Sequence, residues 1–167
     1  MLKIDTNGNG SDWESYGTLP RPLLGHTMTL LRNEIVFIGG YEAWKGIIQG
    51  NDIRFEQLPS MKNKRFRHFA FAIKGNIVVF GGEENTNIKI EKYDPITKQW
   101  TDGPLLPCYL SKGNGDNAVM NRQGKIILMT NEKGIGIFDP ENNSIDFFQG
   151  QFQMRENDRK SYAALLI

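Results

Sequence analysis

The sequence predicts an all-β chain made of about three copies of one four-stranded unit, with partial units at both ends. Three observations predict it. An apolar run closed by paired glycines, Ile35-Val36-Phe37-Ile38-Gly39-Gly40, returns 42 residues later as Ile77-Val78-Val79-Phe80-Gly81-Gly82. Short apolar or alternating stretches recur between turn residues, and no helical period is sustained. The 167 residues include 18 Gly and 7 Pro, set against frequent Ile, Val and Phe, which suits many short strands and turns.

The elements of the unit follow in order. His26 lies nine residues before Ile35, His68 nine before Ile77, and Asn117 nine before Ile126. Between each of these and the apolar run is a first strand: Thr27 to Leu31, Phe69 to Ile73, and Ala118 to Met120. The apolar run is the second strand. In the third copy it is Ile126-Ile127-Leu128-Met129, and the glycine pair has become Thr130-Asn131. Glycine at this strand end lets the backbone turn sharply and pack closely, because it has no Cβ. The third and fourth strands flank an Asp-Pro turn in Tyr93-Asp94-Pro95 and Phe138-Asp139-Pro140, with the next anchors, Trp100 and Ile145, seven residues after the aromatic. In the first copy the hairpin is shorter, with Ile47-Ile48 and Ile53-Arg54-Phe55 around Gly50-Asn51. Each unit closes on a Leu-Pro step. Trp13 precedes Leu19-Pro20, Trp100 precedes Leu106-Pro107, and Leu58-Pro59 marks the junction between them. Met154 to Ser161 repeats the spacing of Met61 to His68, so Tyr162 begins another copy. Four antiparallel strands, repeated, describe a β-propeller blade.

These residues resemble kelch repeats. The shared features are an apolar strand, the glycine pairs Gly39-Gly40 and Gly81-Gly82, the Tyr93-Asp94 hairpin with Phe138-Asp139 as its counterpart, the Trp13 and Trp100 anchors, and the Leu-Pro junction. The first copy lacks the Tyr-Asp pair and the third lacks the glycine pair. The resemblance covers Trp13 to Ile167 and implies a kelch-type β-propeller of about three four-stranded blades plus partial blades at both ends. Residues 1–11 are read as a flexible Asn/Gly-rich leader and 12–167 as the propeller segment. The repeats span about 21–60, 61–107 and 108–154, and another starts over 155–167. Three blades and a fraction fall short of the usual closed ring, so the chain is expected to need further blades or to close on itself.

Composition narrows the function. Twenty Lys and Arg face 19 Asp and Glu, a net charge of +1, which leaves no cationic excess for nucleic acid or an acidic membrane. No apolar run approaches the roughly 20 residues of a membrane span, and the first residues lack the apolar stretch of a secretory signal, so a cytoplasmic location is expected. The single cysteine, Cys108, forbids an internal disulfide and a cysteine-built zinc site. His26 and His68 hold one repeat position, which points to a structural role at a blade junction rather than to a metal. No cofactor is expected. No nucleophile, base and orienting group assemble from the motifs, so no catalytic residue is assigned and the chain is expected not to be an enzyme.

Lys62, Lys64, Arg65 and Arg67 form a basic cluster just before the first strand of the second copy. The kelch resemblance implies that loops leading into the first strand, and loops after the glycine pair, line the usual partner-binding face. Arg65 and Arg67 fall on the former. Tyr41 and Glu83 follow the glycine pairs, with Trp44 and Glu84 further along. Arginine can hold a peptide carboxylate through two hydrogen bonds. The expected function is therefore a non-enzymatic protein-binding module, a scaffold or adaptor that presents inter-strand loops to a protein or peptide partner. The alternatives are a propeller-type enzyme, such as a sugar epimerase or oxidase, or an extracellular recognition domain. Acidic, His or Tyr side chains converging at the channel mouth would mark the enzyme.

Overall fold

A computed structural model describes residues 2–3, 14–15, 17–83, 89–110, 116–130 and 133–148. Trp13, Glu84 and the further repeat expected over 155–167 lie outside them. Two short strands, β1 (Leu2–Lys3) and β2 (Glu14–Ser15), pair antiparallel, so the start of the predicted leader is held in a ladder. The other described strands form three four-stranded antiparallel sheets, each in chain order. The first blade is β3 (Thr27–Leu31), β4 (Glu34–Gly39), β5 (Glu42–Gln49) and β6 (Asp52–Leu58). The second is β7 (Phe69–Ile73), β8 (Asn76–Phe80), β9 (Lys89–Asp94) and β10 (Gln99–Leu105). The third is β11 (Asn117–Met120), β12 (Ile126–Thr130), β13 (Gly134–Asp139) and β14 (Ser144–Phe147). This is the kelch-type blade arrangement that the repeats predict.

The ladders share one register. Val36 faces Lys45, Val78 faces Lys92 and Ile127 faces Ile137. Ile35, Ile77 and Ile126 likewise face Gly46, Tyr93 and Phe138. Alternate residues point to opposite faces of each sheet, so the second blade turns one face to the first blade and the other to the third. Between the first two blades, Leu31, Val36, Ile38, Ala43, Leu58 and Met61 pack on Ile77, Val79, Tyr93 and Trp100. Between the second and third, Phe69, Ile73, Val78, Phe80 and Ile90 pack on Leu110, Ile126, Leu128 and Phe138. Burying a side chain such as Phe80 contributes about 1.5–3 kcal/mol. Strands β3 and β7 lie side by side across the first joint.

The turns follow their local chemistry. Ile48 faces Ile53 and Gln49 faces Asp52, which leaves Gly50-Asn51 as a two-residue turn with Gly50 at φ 61°. Asp94 Oδ1 accepts the N–H of Ile96 at 2.8 Å, and Asp139 Oδ1 accepts that of Glu141 at 2.9 Å. These backbone bonds hold both carboxyls below their ordinary pKa range. Tyr93 and Trp100 stack with ring centroids 5.1 Å apart. The first blade has Gly46 in the place of Tyr93, and Phe55 opposite it packs edge-on against Phe37 at 5.7 Å. The glycine pair closes the next joint. Gly82 N donates to Leu110 O at 2.8 Å, and a Cβ on Gly81, at φ 68°, would run into that same carbonyl. In the third blade Thr130 stands where the pair would begin. It is buried, and its Oγ1 accepts Lys133 N at 2.9 Å.

Candidate functional site

Backbone bonds gather several loops at one end of the joint between the first and second blades. Gly40 and Arg65 exchange two N–H to O bonds of 2.9 Å. Met61 N donates to Tyr41 O at 2.9 Å, Arg67 N to Gly25 O at 2.8 Å and Glu83 N to Phe66 O at 2.9 Å. The chain leading into β3, the chain leading into β7 and the two loops after the glycine pairs are thus tied together. Of the residues expected on a partner-facing surface, Tyr41, Arg67 and Glu83 lie on these tied segments.

Arg67 sits at φ 53°, a left-handed conformation that is uncommon outside glycine. Its hydrogen bond to Gly25 O offsets part of that cost. Its guanidinium reaches Glu83 at 2.9 Å, with the Arg67 side chain 58% exposed. Nearby, Lys64 Nζ stands 4.8 Å from the centre of the Phe66 ring, a cation–π distance. Tyr41 is half exposed. The result is an exposed aromatic and cationic surface with one carboxylate set into it. Trp44 lies instead within β5, packed against the Ile35, Phe37 and Ile53 cluster, with its Nε1 donating to Glu42 Oε2 at 2.9 Å. Glu42 also meets Arg21 at 3.4 Å.

Arg65 requires a correction. It was expected to face a partner, yet it is fully buried in the second blade. Its Nε donates to Glu91 Oε2 at 3.0 Å, its Nη1 to Gly81 O at 2.9 Å and its Nη2 to Lys89 O. Glu91 is also fully buried, and its Oε1 accepts the backbone N–H of Lys62 at 2.9 Å and of Asn63 at 3.2 Å. Burial pulls the Arg65 pKa down, opposed by Glu91. This ion pair fixes the loop leading into β7 to β9 of the same blade. A signal for it was present in the sequence. Arg65 stands three residues before His68, and Leu23 stands three before His26, so the position is an inward one. Leu23 packs against the Ile35, Phe37 and Ile53 cluster.

The histidines share their repeat place but not their surroundings. His68 is buried, and its Nε2 bonds Thr27 Oγ1 across the joint at 2.9 Å. His26 is exposed and its Nδ1 bonds Leu23 O at 2.8 Å. Among the described residues no three of His, Cys, Asp and Glu come together as a metal site. Among them, too, no helix is long and apolar enough to cross a membrane.

Comparison with known proteins bears on this geometry. The Kelch motif matches residues 64–105, from the loop leading into β7 to the end of β10. Kelch-like protein 34 of Homo sapiens is 32% identical over 58% of this chain and 17% of its own length. Beta-scruin of Limulus polyphemus is 28% identical over 86% of this chain and 18% of its own. Kelch repeat and BTB domain-containing protein 12 of Danio rerio is 26% identical over 65% of this chain and 22% of its own. The chain therefore spans about a fifth of the length of these relatives. The solved structure of YjhT overlays 77% of this chain on 52% of its own with a TM-score of 0.65 at 17% identity, a likeness of fold. The three blades share one register, the second carries a Kelch motif, and the chain is similar to kelch-named relatives.

Proposed function

We propose that this chain is a non-enzymatic protein-binding module, and that Tyr41, Lys64, Arg67 and Glu83 form its contact surface for an acidic peptide segment. The observation that carries this reading is the exposed Arg67–Glu83 pair on loops stapled by backbone bonds. A partner carboxylate can take the place of Glu83 on the Arg67 guanidinium, while Tyr41 and Phe66 supply apolar contact beside it. Exposed ion pairs of this kind contribute little to stability, so exchanging one for a partner costs the fold little. The kelch relatives support the class of function. Arg65 has no part in the contact, because its guanidinium is spent inside the blade.

The test is selection of peptides on the immobilised 167-residue chain, with the selected peptides measured again on Arg67→Glu. The expected result is enrichment of Asp- and Glu-containing peptides, binding weakened about tenfold or more by Arg67→Glu, and an unchanged melting curve. Peptides without acidic enrichment, or equal binding by Arg67→Glu, would overturn the assignment.

A further inference from the structure

The two described joints differ at one matched place. In the first joint, Lys45 on β5 is gripped by Glu34 at 3.1 Å and Glu56 at 3.2 Å. Burial opposes the Lys45 charge, and the two carboxylates outweigh it, raising its pKa. The Tyr93 hydroxyl lies within the field of this cluster, and Trp100 stacks beside it. In this joint a lysine is therefore covered by two carboxylates and an aromatic pair.

In the second joint each partner is exchanged. Lys92 holds the register place of Lys45. Asn76 replaces Glu34, Thr101 replaces Glu56, Phe138 replaces Tyr93 and Ile145 replaces Trp100. Lys92 makes no ion pair among the described residues. The acid in its field, Asp94, is occupied by the backbone N–H groups of Ile96 and Thr97. A cavity of about 280 Å³ opens here, lined by Lys92, Asn76, Thr101, Val78, Ile90 and Phe138. Its other charged lining groups are already paired, Lys74 with Glu141 and Asp102 with Lys62 and Lys89. The volume is just under the usual range for small-molecule sites, which suits a small ligand.

We propose that this slot binds a small aromatic carboxylic acid, with its ring on Val78, Ile90 and Phe138 and its carboxylate on Lys92. Such a ligand restores in one molecule what the first joint supplies from its own chain: a carboxylate for the lysine and an aromatic ring for the space between the sheets. An apolar floor with a few placed polar groups is the usual form of such a site. The slot is separate from the Arg67 surface and does not depend on it.

The experiment is titration of the full 167-residue chain with 2-naphthoate, followed by naphthoate fluorescence and by equilibrium dialysis. Saturable binding is expected. The neutral 2-naphthalenemethanol is expected to bind about tenfold or more weakly. Asn76→Glu combined with Thr101→Glu rebuilds the carboxylate clamp of the first joint and is expected to weaken 2-naphthoate to the same degree. Lys92→Gln, at an exposed position, gives the same loss without touching the apolar floor. Circular-dichroism melting checks that each variant is folded. No saturable binding by the parent, equal affinity for the alcohol, or equal affinity in folded Lys92→Gln would overturn the proposal.

Discussion

The first joint is polar where the second is aromatic. Along the face that the first blade turns to the second stand Thr27, Thr29, Leu31, Val36, Ile38 and Ala43. The matched face of the second blade carries Phe69, Phe71, Ile73, Val78, Phe80 and Ile90. The opposing faces compensate. Large rings sit on the far side of the first joint, as Tyr93 and Trp100, and on the near side of the second, as Phe71 and Phe80, whose centroids are 5.8 Å apart. Phe80 also meets Phe138 edge-on at 5.8 Å across the second joint. Side-chain hydrogen bonds also cross the first joint. Thr27 Oγ1 meets His68, Thr29 Oγ1 donates to Ala70 O at 3.1 Å, and Trp100 Nε1 donates to Pro59 O at 2.7 Å. One register thus carries two solutions to the same packing problem.

The largest break is expected in the aromatic joint. Phe80→Ala removes a fully buried ring between two others and should cost about 3–5 kcal/mol, read from the denaturant midpoint. Ile38→Ala, the matched change in the first joint, should cost less because a smaller side chain is removed. Equal losses would mean that the joints do not differ in the way their side chains indicate. A smaller effect is expected from Thr27→Val, which keeps the shape and removes the bond to His68. It should cost about 1 kcal/mol in the same measurement. A change within about 0.3 kcal/mol would show that this bond adds nothing to the joint.

The architecture was legible because its signals are local and repeated. Gly39-Gly40 and Gly81-Gly82, the Asp94 and Asp139 turns and the nine-residue spacing from His68 to Ile77 each mark a fixed point, and each falls where the strands begin or end. The two-residue turn at Gly50-Asn51 followed from its flanking isoleucines. The surface was less legible. Charge alone placed Arg65 beside Arg67 on the outside, and two residues apart on a regular strand they would share a face, but Arg67 sits at φ 53° and breaks that alternation. The partner of Arg65, Glu91, lies 26 residues away on another strand, a pairing no local pattern announces. Trp44, expected on a loop, lies in β5, which begins at Glu42, two residues after the glycine pair. The slot at Lys92 has no local signal, since the glutamates of the first joint are replaced by Asn76 and Thr101 on two different strands.

Matched positions hold different side chains in different blades, and Arg65 with Glu91 is the sharpest instance. The first blade has Leu23 and Trp44 in these places, and the third has Leu110 and Gly136. A double-mutant cycle on Arg65→Leu and Glu91→Leu tests this most directly. Glu91→Leu alone should cost about 3–5 kcal/mol, because it leaves a buried guanidinium without its counter-ion. The double variant should recover more than half of that loss, since an apolar pair serves this position next door. Additive losses, or a Glu91→Leu cost below about 1 kcal/mol, would contradict it and return Arg65 to the surface.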